Sequence, residues 1–206
     1  MIVIIDYGMG NLKSVKNALD FLGLESKISS DREEIRKADG LILPGVGAFP
    51  DAMDTIEKLS LDKIIKEEVE NNKPLLGICL GMQLLFEKGF EGLEREGLCL
   101  LKGNIVKMKD DKENNIKIPH IGWNNLIYNK IDPLFNSIEE GKFVYYVHSY
   151  YVQDYNNDDL IAYSEYGENK IPGVVRHNNV MGAQFHPEKS GDVGLAILKN
   201  FGELIK

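Results

Sequence analysis

Three stretches near the start of the chain, "IVII", "GLILPG" and "KPLLGIC", are apolar without alternation. A strand with one face in water alternates apolar and polar residues. A continuous apolar run suits a strand covered on both faces, as parallel strands flanked by helices are. Between these runs the period changes. Leu12, Val15, Leu19 and Leu22 recur at helical spacing, and Gly23 is placed to end that helix. Ser30 and Glu33 in "SSDREEIRKADG" fit a capping box for a short helix. Leu61, Ile64, Ile65 and Val69 mark a further helix rich in acids and lysines. Strands alternating with helices over such short connections predict right-handed crossovers and a parallel sheet.

From about Leu98 the texture changes. "LCLLKGNIVKMK", "KFVYYVHSYYV", "LIAYSEYG" and "IPGVVRHNNVMGAQF" are β-rich, with Asn178-Asn179 as a hairpin turn. "KDDKENN" reads as an exposed polar turn, and Val193, Ile197, Phe201 and Leu204 form a last helical stripe. The expectation is one α/β domain over residues 1–206, with a parallel core and an antiparallel β extension. A chain of 206 residues buries about 70% of its unfolded surface, enough for a core without disulfides.

Charge and cysteine usage narrow the function. A net charge of −8 argues against a nucleic-acid or anionic-membrane surface and leaves small substrates and protein partners. No run of about 18 apolar residues is present, and "MIVIID" meets Asp6 too early for a signal peptide. Cys79 and Cys99 are expected as free thiols in a reducing cytoplasm.

In "GICLG", Cys79 stands between Gly77 and Gly81, parallel to the G-x-S-x-G elbow that holds a nucleophile on a strand-to-helix turn. Taken alone, the pentapeptide fits a buried structural thiol equally well, since free cysteine is often buried. As a nucleophile, Cys79 gains from the helix N-terminus, and the Leu80 N–H is a natural oxyanion donor. A nucleophile needs a base. Of His120, His148, His177 and His186, the third sits by the Asn-Asn turn and reads as surface. His186 is followed by Pro187, which biases it to extended backbone, so Glu188 falls on the same side as its ring and can fix its tautomer. "LILPGVGAF" ends a predicted strand in glycines, and Gly47 is the candidate second oxyanion donor. Neither "PGVGAF" nor "DYGMGNLKSV" continues into the G-K-[ST] of a phosphate loop.

Taken in order, "PGVGAF", "GICLGMQ" and "FHPEKS" resemble the class I (triad) glutamine amidotransferases. "IIDYGMGNLKSV" and "PHIGWN" narrow the resemblance to the glutaminase subunits of imidazole glycerol phosphate synthase, over essentially the whole chain. The resemblance implies a flavodoxin-like open parallel-core sheet flanked by helices, no cofactor, no metal, and L-glutamine as substrate. It implies that Cys79 forms a γ-glutamyl thioester and releases ammonia, with His186 as base and acid, Glu188 as its orienter, and Gly47 and Leu80 as oxyanion donors. Gln83, Ser149 and Tyr150 match positions that bind the amino-acid end of the substrate. Their plainer readings are a solvated helical residue for Gln83 and ordinary strand residues for "VHSYY", with His148 structural.

The resemblance also implies a heterodimer with a cyclase subunit, a (β/α)8 barrel that receives the ammonia. A barrel needs roughly 250 residues, more than this chain has beyond the triad. Trp123 is an interface anchor or a core tryptophan, while Lys189, Asn11 and Tyr145 match positions at the interface or ammonia passage. The rival readings are an amidotransferase serving another synthase, a cysteine peptidase, and a non-catalytic module of the same fold.

Overall fold

The structure, a computed structural model, describes residues 1–110 and 116–205, so most of the "KDDKENN" turn lies outside the described residues. In the first part, β1 (Ile2–Ile5), α1 (Leu12–Phe21), β2 (Ser26–Ser29), α2 (Arg32–Lys37) and β3 (Gly40–Gly45) follow one another. Then come α3 (Phe49–Lys58), α4 (Leu61–Glu70), β4 (Leu75–Cys79) and the single turn α5 (Leu80–Gln83). The second part holds β5 (Lys88–Gly89), β6 (Arg95–Glu96), β7 (Asn104–Lys107), β8 (His120–Asn125), β9 (Ile127–Tyr128) and β10 (Phe143–His148). It closes with β11 (Tyr150–Gln153), β12 (Leu160–Tyr166), β13 (Asn169–His177), β14 (Val180–Ala183) and α6 (Gly191–Glu203).

The main sheet runs β2-β1-β3-β4-β14-β13-β12-β9. Its first five strands are parallel, and β13, β12 and β9 extend it antiparallel. Counted along the chain, the parallel strands stand in the order 2-1-3-4-5, the flavodoxin-like arrangement. The apolar runs behave as continuous burial requires. Ile2 and Ile4 enter the core shared with α1 and α6, whereas Val3 and Ile5 enter the core shared with α2, α3 and α4.

Local signals explain the element ends. Gly23, at φ +69°, follows the C-cap of α1; its N–H donates to Asp20 O and that of Leu24 to Leu19 O, a Schellman closure. Asn178-Asn179 joins β13 to β14 as a two-residue turn, with His177 opposite Val180. The cap of α2 is one residue later than expected. Asp31, not Ser30, accepts from the N–H groups of Glu33 and Glu34 at 2.9 and 3.0 Å, because a carboxylate is the better acceptor at a helix N-terminus.

Two elements are absent from the sequence reading. Edge strand β2, "SKIS", shows no apolar run because only one neighbour covers it. Helix α3 begins "FPDAM", where Pro50 marks a helix start rather than a loop. The β-rich second part also divides further than expected, into a ribbon β10-β8 and a small sheet β11-β7-β5-β6 beside the main sheet.

Candidate active site

Strands β3, β4 and β14 are neighbours, and their carboxyl ends carry "PGVG", the cysteine and the histidine. Gly45 stands opposite Cys79 in the parallel register, and Ala183 opposite Ile78, so His186 leaves the sheet beside the cysteine. Open α/β sheets bind ligands at this edge. Cys79 itself has φ 55° and ψ −112°, a strained conformation for a residue with a side chain, of the kind that turns a nucleophile out of a strand. Its glycine neighbours are steric necessities. A Cβ on Gly81 would lie 1.8 Å from the Leu43 carbonyl oxygen, and one on Gly77 would lie 2.6 Å from that of Gly81. The turn therefore packs against β3 with no room for a side chain.

His186 is buried, and its Nδ1 lies 2.8 Å from Glu188 Oε1, whose side chain is also buried. Backbone bonds fix this turn. The His186 N–H donates to Tyr145 O at 3.0 Å, the Tyr145 N–H to Ser190 Oγ at 3.0 Å, and the Ser190 hydroxyl to His186 O at 2.6 Å. With Nδ1 engaged, Nε2 is the nitrogen left for the thiol, and it has no hydrogen-bond partner among the described residues. Burial lowers the affinity of His186 for a proton, but the adjoining Cys79 and Glu188 outweigh burial and raise its pKa to about 9. The thiol and ring are thus coupled by charge, while their geometry falls short of a formed hydrogen bond, as is common before substrate binds. The sulfur faces Val147 O at 3.9 Å and receives Gln184 Nε2 at 4.0 Å.

Cys79 and His186 open on a cavity of about 340 Å³, within the range of small-molecule sites. Leu80, Val46 and Gly47 line one side; Gln83, Ser149, Tyr150 and His148 line another. Gly47, at φ +107°, adopts a conformation that favours glycine, and Leu80 opens α5, where N–H groups have no partner within the helix. Gln83 is buried rather than solvated; its Nε2 donates to Tyr150 O at 2.9 Å and Gln184 Oε1 at 3.0 Å. Sequence reasoning missed Gln184, a buried amide whose only signal was its place two residues before His186. It also missed Glu91, which lines the cavity and accepts the Phe49 N–H at 2.8 Å. Nothing in its neighbourhood, "FEGLERE", distinguishes that acid from its exposed fellows.

The remaining predicted residues lie outside the cavity. Trp123 is 56% exposed, which removes the core reading; it meets Tyr145, opposite it in the β8–β10 ribbon, edge-on with centroids 6.0 Å apart. Ile121 and Phe143 share that exposed face. Asn11 precedes α1 without a side-chain capping bond, and Lys189 is exposed in the turn after Glu188. That turn packs on α1 and β10, so Asn11, Lys189 and Tyr145 belong to elements that meet.

The arrangement is a thiol on a strained elbow, a buried histidine–carboxylate pair beside it, and backbone donors across a small cavity. The family model for class-I glutamine amidotransferases matches residues 3–204, and the chain belongs to that family. Within it, the likeness is to the HisH subunit of imidazole glycerol phosphate synthase. That of Caldanaerobacter subterraneus subsp. tengcongensis is 55% identical over 206 residues, covering 100% of this chain and 99% of its own. That of Lactococcus lactis subsp. lactis is 55% identical over 204 residues, covering 99% and 98%. Among solved structures, a glutamine amidotransferase matches with a TM-score of 0.74 at 19% identity, covering 98% of this chain and 100% of its own. The structure of PurLQS from Thermotoga maritima matches at 0.73 and 19% identity, covering 100% and 98%. These last two speak to fold alone.

Proposed function

We propose that residues 1–206 act as one glutamine amidotransferase domain, the glutaminase subunit of an imidazole glycerol phosphate synthase in histidine biosynthesis. The observation that carries the reading is the junction of Cys79 and the His186–Glu188 pair on one cavity, in a chain 55% identical over its length to HisH subunits. The Cys79 sulfur attacks the side-chain amide carbon of glutamine, and its proton passes to His186. Oxyanion charge falls to the Leu80 and Gly47 N–H groups. His186, held by Glu188 and prone to keep a proton, returns it to the leaving nitrogen. The C–N bond breaks, ammonia leaves, and the γ-glutamyl thioester remains. Water activated by His186 then cleaves the thioester to glutamate and regenerates the thiol.

The substrate's two charges have natural partners. The backbone at Ser149 and Tyr150 supports binding of the α-carboxylate, with Gln83 behind it, and the Glu91 carboxylate suits the α-ammonium. The exposed face of Trp123, Ile121 and Phe143, with Lys189, Asn11 and Tyr145 nearby, is the docking surface for a cyclase subunit of (β/α)8 form, as a cytoplasmic heterodimer. Aromatic residues dominate such contacts.

The test is glutamine hydrolysis by the full chain, with and without the cyclase subunit, for the parent and Cys79→Ala. The reading requires ammonia release that depends on Cys79 and a stable complex with the cyclase. Turnover surviving in Cys79→Ala would overturn the mechanism, and peptide or ester hydrolysis without glutamine hydrolysis would favour a cysteine peptidase.

A further inference from the structure

Behind the cavity wall lies a run of buried polar groups that the chemistry above leaves unused. His148 ends β10 and pairs in register with His120, which begins β8; His148 Nε2 and His120 Nδ1 are 3.1 Å apart. The neighbouring contacts decide where the protons sit. His148 Nδ1 is 2.9 Å from the Tyr150 carbonyl oxygen, which can only accept, so Nδ1 carries a hydrogen. Burial lowers His148 to about 3 and His120 to about 4, so each ring holds a single proton at neutral pH. His148 Nε2 is then an acceptor, and His120 Nδ1 donates to it. The Asn124 amide lies 3.4 Å from His120 Nε2, on the donor side of the chain. The Tyr150 oxygen takes its second bond from Gln83 Nε2 at 2.9 Å.

We infer that the His120–His148 pair is the positioning element of the glutamine-recognising wall: a one-way chain of hydrogen bonds holds the Tyr150 carbonyl, and with it Gln83, where the amino-acid end of the substrate binds. The inference rests on the glutaminase reading. A carbonyl held by two donors from two directions fixes the plane of its peptide. Loss of one donor frees the Ser149–Tyr150 segment that faces the cavity. Because the wall grips the unreacting end of glutamine, the effect falls on KM more than on kcat.

The competing explanation is packing, since His120 is stacked between Tyr146 and Tyr166 with centroids 4.7 and 4.0 Å away. Two substitutions separate them. His120→Phe keeps a ring in the stack and removes the donor; His120→Asn keeps a donor where Nδ1 stands and removes the ring. With the full chain bound to the cyclase subunit, H120F is expected to raise the KM for glutamine about tenfold, the size of one buried unpaired group, with kcat within about threefold. H120N is expected to bring KM back to within about threefold of the parent. In nitrogen-resolved NMR of the full chain, parent His148 should show one neutral tautomer, protonated at Nδ1, and H120F should lose that single form.

H120F indistinguishable from the parent, H120N worse than H120F, or mixed His148 tautomers in the parent would each overturn the inference. Should H120F not fold, His148→Asn against His148→Leu reads the same link: KM near the parent's for the first and about tenfold higher for the second, equal values being contrary. A parent complex that fails to hydrolyse glutamine refutes the functional reading instead, and the tautomer spectrum, independent of turnover, tells the two failures apart.

Discussion

His186 is where burial and charge pull hardest against each other. Its folded pKa, about 9, lies above the ordinary histidine value near 6.5, because burial, which favours the neutral ring, is outweighed by Cys79 and Glu188. The sign of the linkage follows. The contribution of this group to stability is fully present below about pH 6.5 and is lost as pH rises through about 9. Glu188→Gln should lower the His186 midpoint, read as ring nitrogen shifts against pH, and depress kcat while leaving the cavity intact; an unmoved midpoint would show that Glu188 does not govern the ring. Much of this site is legible in the sequence because three short motifs each carry a local geometric signature: a G-x-C-x-G elbow, an H-P-E turn and a glycine-rich strand end. Gln184, Glu91 and the His120–His148 pair were not legible. Their roles come from partners far along the chain or from the folding of an irregular loop, and no periodicity records such a meeting.

At the scale of elements, the elbow and its neighbour β3 form one packed unit. Gly81→Ala would drive a methyl to 1.8 Å from the Leu43 carbonyl oxygen, so one backbone must move. We expect a loss of about 3 kcal/mol or more in denaturant unfolding, together with loss of glutaminase activity. A stable, active Gly81→Ala protein would contradict the geometry of the turn. At α2 the test is milder. Asp31→Ala removes the carboxylate that accepts two helix N–H groups and should cost about 1 kcal/mol, whereas Ser30→Ala should cost much less. Strands β1, β3 and β4 declare themselves because burial on both faces forces unbroken apolar runs. Strand β2 hides because it is an edge with a polar face, and α3 hides because its proline reads as a breaker until its position at a helix start is known. The splitting of the later strands among three sheets depends on long-range pairing, which alternation alone does not encode.

For the whole molecule, the five parallel strands bring chemistry to one edge, and the β8–β10 ribbon links that edge to an exposed aromatic face. One face of the ribbon holds Ile121, Trp123 and Phe143 outward; the other holds His120 and His148 inward. Trp123→Ala should weaken binding to the cyclase by about 2 kcal/mol or more in titration calorimetry while leaving the stability of the isolated chain within about 0.5 kcal/mol of the parent. Equal affinities would remove the docking role of this face. The inward histidines set an acid limit. Their folded pKa values lie below the unfolded value, so their burial weakens the fold as pH falls from about 6.5 toward about 4 and 3, measurable as a falling unfolding free energy.

The central claim is that Cys79 carries the γ-glutamyl group. Glutamine turnover by the cyclase-bound chain, quenched in acid within a single turnover, allows the peptide containing Cys79 to be weighed. The account predicts a glutamyl adduct on Cys79 that appears before glutamate and is absent in Cys79→Ala. Glutamate released with no adduct on Cys79, or with the adduct on another residue, would contradict it.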